Sequence, residues 1–146
     1  MGSDHRDVEP SSDLGSLLHA AFRGLRHSWT EQLAPWEVTP FQWRALHTIM
    51  RMDDGARLGV IAERLRIAPR SATEVVDQLE ARRLVRRAPD PSDRRAIIVE
   101  PTPEGLQLHD AVMAERRERA DEYFAALSPS EQDQLAKLLS RLPPTG

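Results

Sequence analysis

The chain of 146 residues contains no cysteine, which excludes disulfide bonds, a zinc–thiolate site and thiol redox sensing. It also has no apolar run near the roughly 20 residues of a membrane-spanning helix, and no basic-then-apolar secretory signal. We therefore expect a cytoplasmic protein without a membrane partner.

The sequence lacks catalytic signatures as well. It has no nucleophile elbow and no phosphate-binding glycine loop, and neither Ser71 nor Ser92 has an obvious base. The five histidines include no closely spaced pair of the type H-x-x-x-H. We expect no enzyme activity, no cofactor and no metal site.

Positive charge is present almost entirely as arginine, since Lys137 is the only lysine. The net charge of −3 hides an uneven distribution. The segment from Arg57 to Arg95 holds ten arginines against six acidic residues, a local charge of +4, and the remaining residues carry −7. A basic middle suits a segment that faces phosphate, although an ordinary solvated surface would give the same charges.

Apolar residues at steps of three and four predict six helices. Ser11–Asp13 offers N-caps for the first helix, and Pro35 is expected to end it. Capping boxes are predicted at Thr39–Gln42 and Ser128–Glu131. The predicted helices cover about residues 11–35, 39–52, 60–65, 69–83, 102–127 and 128–142. We expect Phe41 and Val60 to face the interior, and the sixth helix to bury its four leucines, Leu135, Leu138, Leu139 and Leu142.

The third and fourth helices are joined by about three residues, which is helix-turn-helix geometry. Two β-prone runs follow, Leu84–Arg87 and Ala96–Glu100, and the Asp90–Asp93 turn between them predicts a hairpin. Arg57–Leu58 is a candidate third strand at its edge. A helix that enters one groove, beside a hairpin that reaches a second groove, indicates a winged-helix DNA binder.

The start of the fourth helix has the features of a groove-reading helix. Ala68 is a poor cap, so the first-turn N–H groups are available to a phosphate. Ser71 and Thr73 are small enough for close approach, and Arg70 can reach guanine or phosphate. Glu74 either accepts from a cytosine amino group or orients Arg70 at the i,i+4 spacing, and we favour the second role. An ordinary amphipathic surface helix is the alternative.

The hairpin tip carries two adjacent arginines. An arginine that enters the narrow minor groove gains from the concentrated negative potential there, provided that it is already aimed. Asp93 stands two positions before Arg95, so we expect its carboxylate to hold the Arg95 guanidinium. Arg94 then points the other way, toward a phosphate.

Five segments together carry a family resemblance: Ile61–Leu65, Thr73–Glu80, Leu84–Arg87, Asp90–Ala96 and Thr102–Gly105. Over about residues 12 to 142 the chain resembles the multiple antibiotic resistance regulator (MarR) family of winged-helix transcription factors. The resemblance implies a mainly α-helical homodimer with a small wing, clasped by the first, fifth and sixth helices. It also implies a near-palindromic double-stranded DNA operator, a repressor role and release by a small ligand.

Mapped onto this chain, the resemblance implies a flexible arm over residues 1–10 and a single domain over 11–146. Within that domain, residues 38–101 form the DNA-binding lobe, and residues 11–35 and 102–142 form the dimerisation helices. The family's minor-groove arginine maps to Arg95 and its supporting aspartate to Asp93. The full set of candidate DNA contacts is Arg64, Pro69, Arg70, Ser71, Thr73, Glu74, Asp93, Arg94 and Arg95.

Three residues depart from the family pattern. Arg66 and Arg83 stand where the family often has glycine, and a left-handed backbone would be strained for arginine, so we expect those turns to differ locally. Glu74 replaces what is often a basic or neutral residue, which leaves the target sequence open.

The first two helices would line the family's ligand pocket. The candidate residues are Phe22, Arg26, Trp29, Trp43 and His47, with Trp36 nearby, and an aromatic pocket with one arginine would suit an aromatic acid or a phenol. Simple core packing is the alternative. For the whole chain, the alternative to a ligand-responsive regulator is a winged-helix module that binds protein partners and not DNA, which Glu74 and the negative net charge keep open.

Overall fold

The computed structural model describes residues 13–144, so the predicted arm at residues 1–10 lies outside the described part of the chain. The chain forms two compact units. One, here called the terminal unit, comprises residues 13–29 and 119–144, and the other, the winged-helix unit, comprises residues 30–118. Across the described residues, no helix has both the length and the apolar character needed to cross a membrane.

Residues 13–144 form six α-helices and three strands, which confirms the mainly α-helical prediction. The strands form an antiparallel sheet of order β1-β3-β2. The edge strand predicted at Arg57–Leu58 is present, but it comprises Ala56–Arg57, and Leu58 begins α3. The elements are α1 (Leu14–Gln32), a 3₁₀ helix (Ala34–Trp36), α2 (Pro40–Met50), β1 (Ala56–Arg57), α3 (Leu58–Leu65), α4 (Pro69–Ala81), β2 (Val85–Asp90), β3 (Asp93–Pro101), α5 (Pro103–Phe124) and α6 (Pro129–Ser140).

Local capping chemistry sets the helix starts. The Asp13 carboxylate accepts hydrogen bonds from the backbone N–H groups of Gly15 and Ser16, which fixes the beginning of α1. Both predicted capping boxes are confirmed, at the first turns of α2 and α6. The end of α1 differs from the prediction, because the helix stops at Gln32 and Pro35 lies within the following 3₁₀ helix.

The core of the winged-helix unit lies between α2, α3, α4 and the sheet. Two residues predicted to face it, Phe41 and Val60, are exposed instead. Each lies within the first three residues of its helix, and the buried face begins at the fourth residue, Trp43 in α2 and Ile61 in α3. The core side chains are Ala45, Leu46, Ile49, Ala56, Ile61, Leu65, Val75, Val76, Leu79, Leu84, Val85 and Val99.

The terminal unit leaves its apolar face uncovered, so the prediction that α6 buries its leucines is wrong for the single chain. Leu138 is 52% exposed and Leu142 is 56% exposed. The spacing puts the leucines on one face, but no further element among the described residues of the unit covers them. Together they form an apolar groove between α1 and α6, lined by Leu14, Leu17, Leu18, Ala21, Phe22, Leu25, Phe124, Leu135, Leu138, Leu139, Arg141 and Leu142.

The turns after α3 and α4 both pass through the left-handed region, at φ 55° for Arg66 and φ 59° for Arg83. The expectation that arginine would make these turns different is therefore wrong. Each turn closes with a hydrogen bond from the residue after the arginine to a carbonyl five residues back, from Ile67 to Ala62 and from Leu84 to Leu79. These bonds and the buried Leu84 hold the backbone in a conformation that costs arginine about 1–2 kcal/mol.

The start of α5 packs directly onto the turn after α4. The backbone N–H of Thr102 donates to the carbonyl of Leu84 at 3.1 Å, and the Thr102 hydroxyl donates to the carbonyl of Arg83 at 2.5 Å. A Cβ atom on Gly105 would lie 2.0 Å from the oxygen of Leu84. The Thr102–Gly105 segment is thus a close backbone junction that only glycine permits.

Candidate nucleic-acid interface

The first turn of α4 is open to a ligand in the way the sequence predicts. Ala68 has an extended backbone and makes no side-chain capping hydrogen bond. Pro69 begins the helix, and the small Ala72 is buried beneath the turn. The backbone amides at this helix start therefore meet little steric cover, which favours an anion there.

Arg70 and Glu74 lie on the exposed side of that helix. The Arg70 guanidinium is 91% exposed, and its Nε lies 3.5 Å from Oε1 of Glu74. This is the arrangement that we favoured from the i,i+4 spacing. The Thr73 hydroxyl donates to the carbonyl of Pro69 at 3.1 Å, while Ser71 is half-buried and Arg64 is exposed on α3.

A bulge at the wing tip presents the two arginines. Pro89 of β2 pairs with Ile97 of β3, but the next residue, Asp90, pairs with Asp93. Three residues of β3 (94–96) therefore have no opposite residue on β2. Arg94 and Arg95 belong to this bulge and both are exposed. Such bulges redirect side chains away from the plane of a sheet.

Asp93 supports Arg95 differently from the prediction. Its Oδ1 accepts a hydrogen bond from the backbone N–H of Arg95 at 3.1 Å. Among residues 13–144, no carboxylate lies within ion-pair distance of the Arg95 guanidinium. The short aspartate side chain reaches the backbone two residues ahead more readily than a distant guanidinium. Asp93 thus shapes the backbone of the bulge, and the Arg95 side chain extends into solvent.

Asp90 organises the opposite side of the wing tip. Its Oδ1 accepts from the backbone N–H and the hydroxyl of Ser92, and its Oδ2 accepts two hydrogen bonds from the guanidinium of Arg57 on β1. These bonds, those from Ser92 first, lower the pKa of Asp90 to about 2. The hairpin end is therefore held to the far strand of the sheet at all ordinary pH values.

Sequence analysis did not predict the role of one charged residue near the interface, Arg87. The Arg87 guanidinium on β2 donates to Asp77 Oδ1 at 2.6 Å and to Glu80 Oε1 at 2.8 Å, and both acceptors belong to α4. Glu80 Oε2 also accepts from the backbone N–H of Arg87 at 3.0 Å. The signal was available in the acidic i,i+3 pair on the helix, but nothing in the sequence showed which arginine it would meet.

The five candidate effector residues fall in both units. Phe22, Arg26 and Trp29 lie on α1 in the terminal unit, where Phe22 lines the apolar groove. Trp43 and His47 lie on α2 in the winged-helix unit, and their rings are stacked with centroids 5.8 Å apart. The structure thus brings Trp43 and His47 together.

Two residues of α5 complete the cluster around Trp43. His109 stacks on Trp43 at 5.1 Å, and its Nε2 lies 2.9 Å from Nδ1 of His47, so the two imidazoles share a hydrogen bond. The Arg116 guanidinium lies 4.7 Å from the Trp43 ring centroid, a cation–π contact. His109 is 62 residues from His47 in sequence, which is why spacing did not reveal it.

Burial lowers the pKa of both histidines of this cluster. For His47, the positive charges of a protonated His109, of Arg51 and of Arg116 act in the same direction. For His109, the neighbouring Asp110 carboxylate opposes the effect of burial only in part. Within residues 13–144, no group of three or more histidine and acidic side chains could hold a metal ion.

The sequence profile described as the MarR family matches residues 36–96. The transcriptional repressor MdtR of Bacillus subtilis is 29% identical over 131 residues, which cover 90% of this chain and 84% of MdtR. Over these residues the chain is similar to the MarR family. MdtR and a second similar protein, MhqR of Bacillus subtilis, are both transcriptional regulators of the helix-turn-helix type.

Solved structures of MarR-family proteins share the fold. Wild-type apo MarR from E. coli superposes with a TM-score of 0.77 at 24% identity, covering 90% of this chain and 97% of that one. CouR from Rhodococcus jostii RHA1, solved with bound p-coumaroyl-CoA, gives a TM-score of 0.69 at 26% identity, covering 93% of this chain and 96% of that one. The winged helix described above is therefore the MarR-family winged helix.

Proposed function

We propose that this chain is a DNA-binding transcriptional regulator of the MarR family. It is a cytoplasmic repressor that binds a near-palindromic operator as a homodimer. A small aromatic acid or phenol releases it from the operator. The observation that carries the DNA-reading part is the joint exposure, within one compact unit, of the uncapped start of α4 and the arginines of the wing bulge. A helix for the major groove and a guanidinium for the minor groove are then presented together.

In this proposal, the first turn of α4 lies against a phosphate and Arg70, oriented by Glu74, reaches a base edge or a second phosphate. Ser71 and Thr73 allow the helix backbone to approach the groove, and Pro69 and Arg64 flank it. Arg95 enters the minor groove from a bulge that Asp93 shapes, and Arg94 takes a phosphate.

The homodimer part is supported by the uncovered groove of the terminal unit. Six large apolar residues of α1, of α6 and of the segment just after α6 are each at least half exposed: Leu14, Leu17, Leu18, Phe22, Leu138 and Leu142. Contiguous apolar surface of this kind marks a protein interface in a soluble chain. A second copy supplies the same apolar surface, so the two faces are complementary by symmetry.

The effector part is supported by the cluster around Trp43. Aromatic rings and the half-buried Arg116 lie together there, which are the residue types that suit an aromatic carboxylate or phenolate. Trp43 is only 4% exposed, so binding a ligand there requires the cluster to open. Burial lowers the pKa of Arg116, and an anion close to a guanidinium favours its charged form. The p-coumaroyl thioester bound by CouR belongs to the same aromatic class.

The experiment is fluorescence anisotropy with duplexes that the protein selects from a random-sequence pool, measured over a range of salt concentrations. We expect saturable binding whose log affinity falls linearly with log salt concentration. Arg95→Ala should weaken binding by about 1–3 kcal/mol per half-site, which is about 5- to 150-fold, with an unchanged circular dichroism spectrum.

Arg23→Ala is the matched control, because it removes one exposed arginine from α1 in the terminal unit and should leave affinity nearly unchanged. If no duplex gives saturable, salt-sensitive binding, the chain is a protein-interaction module instead. If Arg95→Ala and Arg23→Ala bind equally well, the assignment of the minor-groove probe is wrong.

A further inference from the structure

The connection between α4 and the wing has three parts: the chain itself, the apolar core that both share, and side-chain ion pairs. Residues 82–84 join the helix to β2, and beyond them Arg87 reaches back to Asp77 and Glu80 of the helix. Among the described residues, these are the ion pairs that link α4 to the wing. We call Arg87, Asp77 and Glu80 the Arg87 clamp.

Arg87 is committed to these contacts rather than to a nucleic acid. Its side chain is 24% exposed, and each of its terminal nitrogens donates to a carboxylate. Burial alone would lower the pKa of Arg87, but the hydrogen bonds from Asp77 and Glu80 outweigh it and raise the pKa above its ordinary value. The neighbouring Arg86 points to the other face of the strand, is 66% exposed and pairs with Glu100 of β3.

Two acidic residues beside a DNA-reading helix are electrostatically unfavourable for affinity, because they repel phosphate. The side chain of Asp77 is 60% exposed and that of Glu80 is 41% exposed, so both carboxylates remain open to solvent. Their presence on α4 therefore requires a benefit other than charge. The contacts with Arg87 supply it, since a carboxylate pair can hold a planar guanidinium in one orientation.

We propose that the Arg87 clamp is a positioning device that sets the distance between the groove-reading helix and the arginines of the wing bulge. The inference rests on the proposed DNA-reading function of α4 and the wing. Arg87 lies in the middle of β2 and pairs with Val99 of β3, so Arg95 lies four residues beyond that pair, about 13 Å along the strand.

A lever of that length amplifies small movements. A rotation of about 10° at Arg87 would displace the wing tip by about 2 Å, several times the roughly 0.5 Å within which a recognition group must be held. The bond between Arg57 and Asp90 joins the hairpin to its own sheet, but it does not join the sheet to α4. The core packing between α4 and the sheet is not directional, so the clamp is the directional polar contact that carries the orientation of α4 to the tip.

The test uses the double variant Asp77→Asn, Glu80→Gln in the full-length chain, with the duplex selected by the wild type and an unrelated duplex as probes. The variant keeps side-chain shape and removes two negative charges. A purely electrostatic account predicts tighter binding to both duplexes. Positioning predicts at least tenfold weaker binding to the selected duplex, with binding to the unrelated duplex equal or tighter.

Glu100→Gln is the matched control, because it removes an acid of the same unit whose partner, Arg86, lies on the opposite face. Its affinity for the selected duplex should change less than threefold. Arg87→Lys supplies a second readout: lysine keeps the charge but cannot fork between two carboxylates, so binding should still fall. If the double variant loses its fold, the single variant Asp77→Asn takes its place. It replaces the carboxylate that accepts from one terminal nitrogen of Arg87, while Glu80 still accepts from the other, and binding to the selected duplex should again fall.

Unchanged or tighter binding of the acidic-pair variant to the selected duplex would overturn the inference. Wild-type affinity of the Arg87→Lys variant for the selected duplex would also overturn it. The failure of the proposed function looks different, because then the wild type itself selects no duplex or Arg95→Ala has no effect. In that case the clamp has nothing to position and the inference falls with it.

Discussion

Replacing Gly105 by alanine should destabilise the protein strongly, because the added methyl group has no space. Its Cβ would lie 2.0 Å from the carbonyl oxygen and 2.9 Å from the carbonyl carbon of Leu84. The obstruction is backbone, not the end of a flexible side chain, so the first turn of α5 or the turn after α4 must move. The hydrogen bonds from Thr102 to Arg83 and Leu84 tie both segments together and would be strained by that movement.

Overpacking of a tight site costs about 1–3 kcal/mol, and a backbone obstruction of more than an ångström belongs at the upper end. For a chain of 146 residues, about 3 kcal/mol corresponds to a fall in Tm of about 10 °C. Thermal unfolding followed by circular dichroism at 222 nm measures this fall directly.

Gly59→Ala is the matched control. A Cβ at Gly59, which lies in α3, meets no atom within 4 Å, so alanine should leave Tm unchanged or raise it slightly through its higher helix propensity. A Gly105→Ala variant whose Tm lies within about 1 °C of the wild type would refute the reasoning, since the junction would then have slack that the structure does not show.

Three further outcomes follow from the structure. Arg83→Gly should raise stability by about 0.5–1 kcal/mol in a urea titration, because it removes left-handed strain of about 1–2 kcal/mol at the smaller entropic cost of glycine; a loss of stability would contradict this. Lowering the pH below 6.5 should reduce the free energy of unfolding, because the pKa values of His47 and His109 are lowered in the folded chain and the unfolded chain therefore binds protons first. This contribution is present above pH 6.5, and a free energy of unfolding that does not change with pH would count against the cluster. Leu138→Glu should convert a dimer to a monomer in light scattering, whereas Gln134→Glu on the same helix should not, and a monomeric wild type would refute the interface.

Features encoded in short sequence windows could be predicted. The capping box at Thr39–Gln42 involves a side chain and a backbone amide three residues apart, so its chemistry is complete within the window. The same holds for the helix-turn-helix spacing and for the contact between Arg70 and Glu74. In these cases, the residues that decide the structure are neighbours in the chain.

Features decided by distant packing could not be predicted in this way. The strain at Arg66 and Arg83 is compensated by hydrogen bonds and burial around the turn, which local propensity does not contain. Arg87 pairs with Asp77 and Glu80 because of where β2 lies relative to α4, which short sequence windows do not show. The exposure of Leu138 depends on which elements share its unit, while the apolar spacing shows only that one face is apolar.

The three unopposed residues at the wing tip lie outside the part of the hairpin whose pairing register is fixed by the core. Below them, Arg87 pairs with Val99 and Ala88 with Ile98, and both valine and isoleucine are buried, so a slip of one residue there would expose the core. Inserting or deleting a residue between Asp93 and Ile97 leaves those pairs untouched. The length of the wing tip can therefore be changed without changing the strand register of the sheet. The bulge is the place where the distance that the wing extends into a groove can be altered.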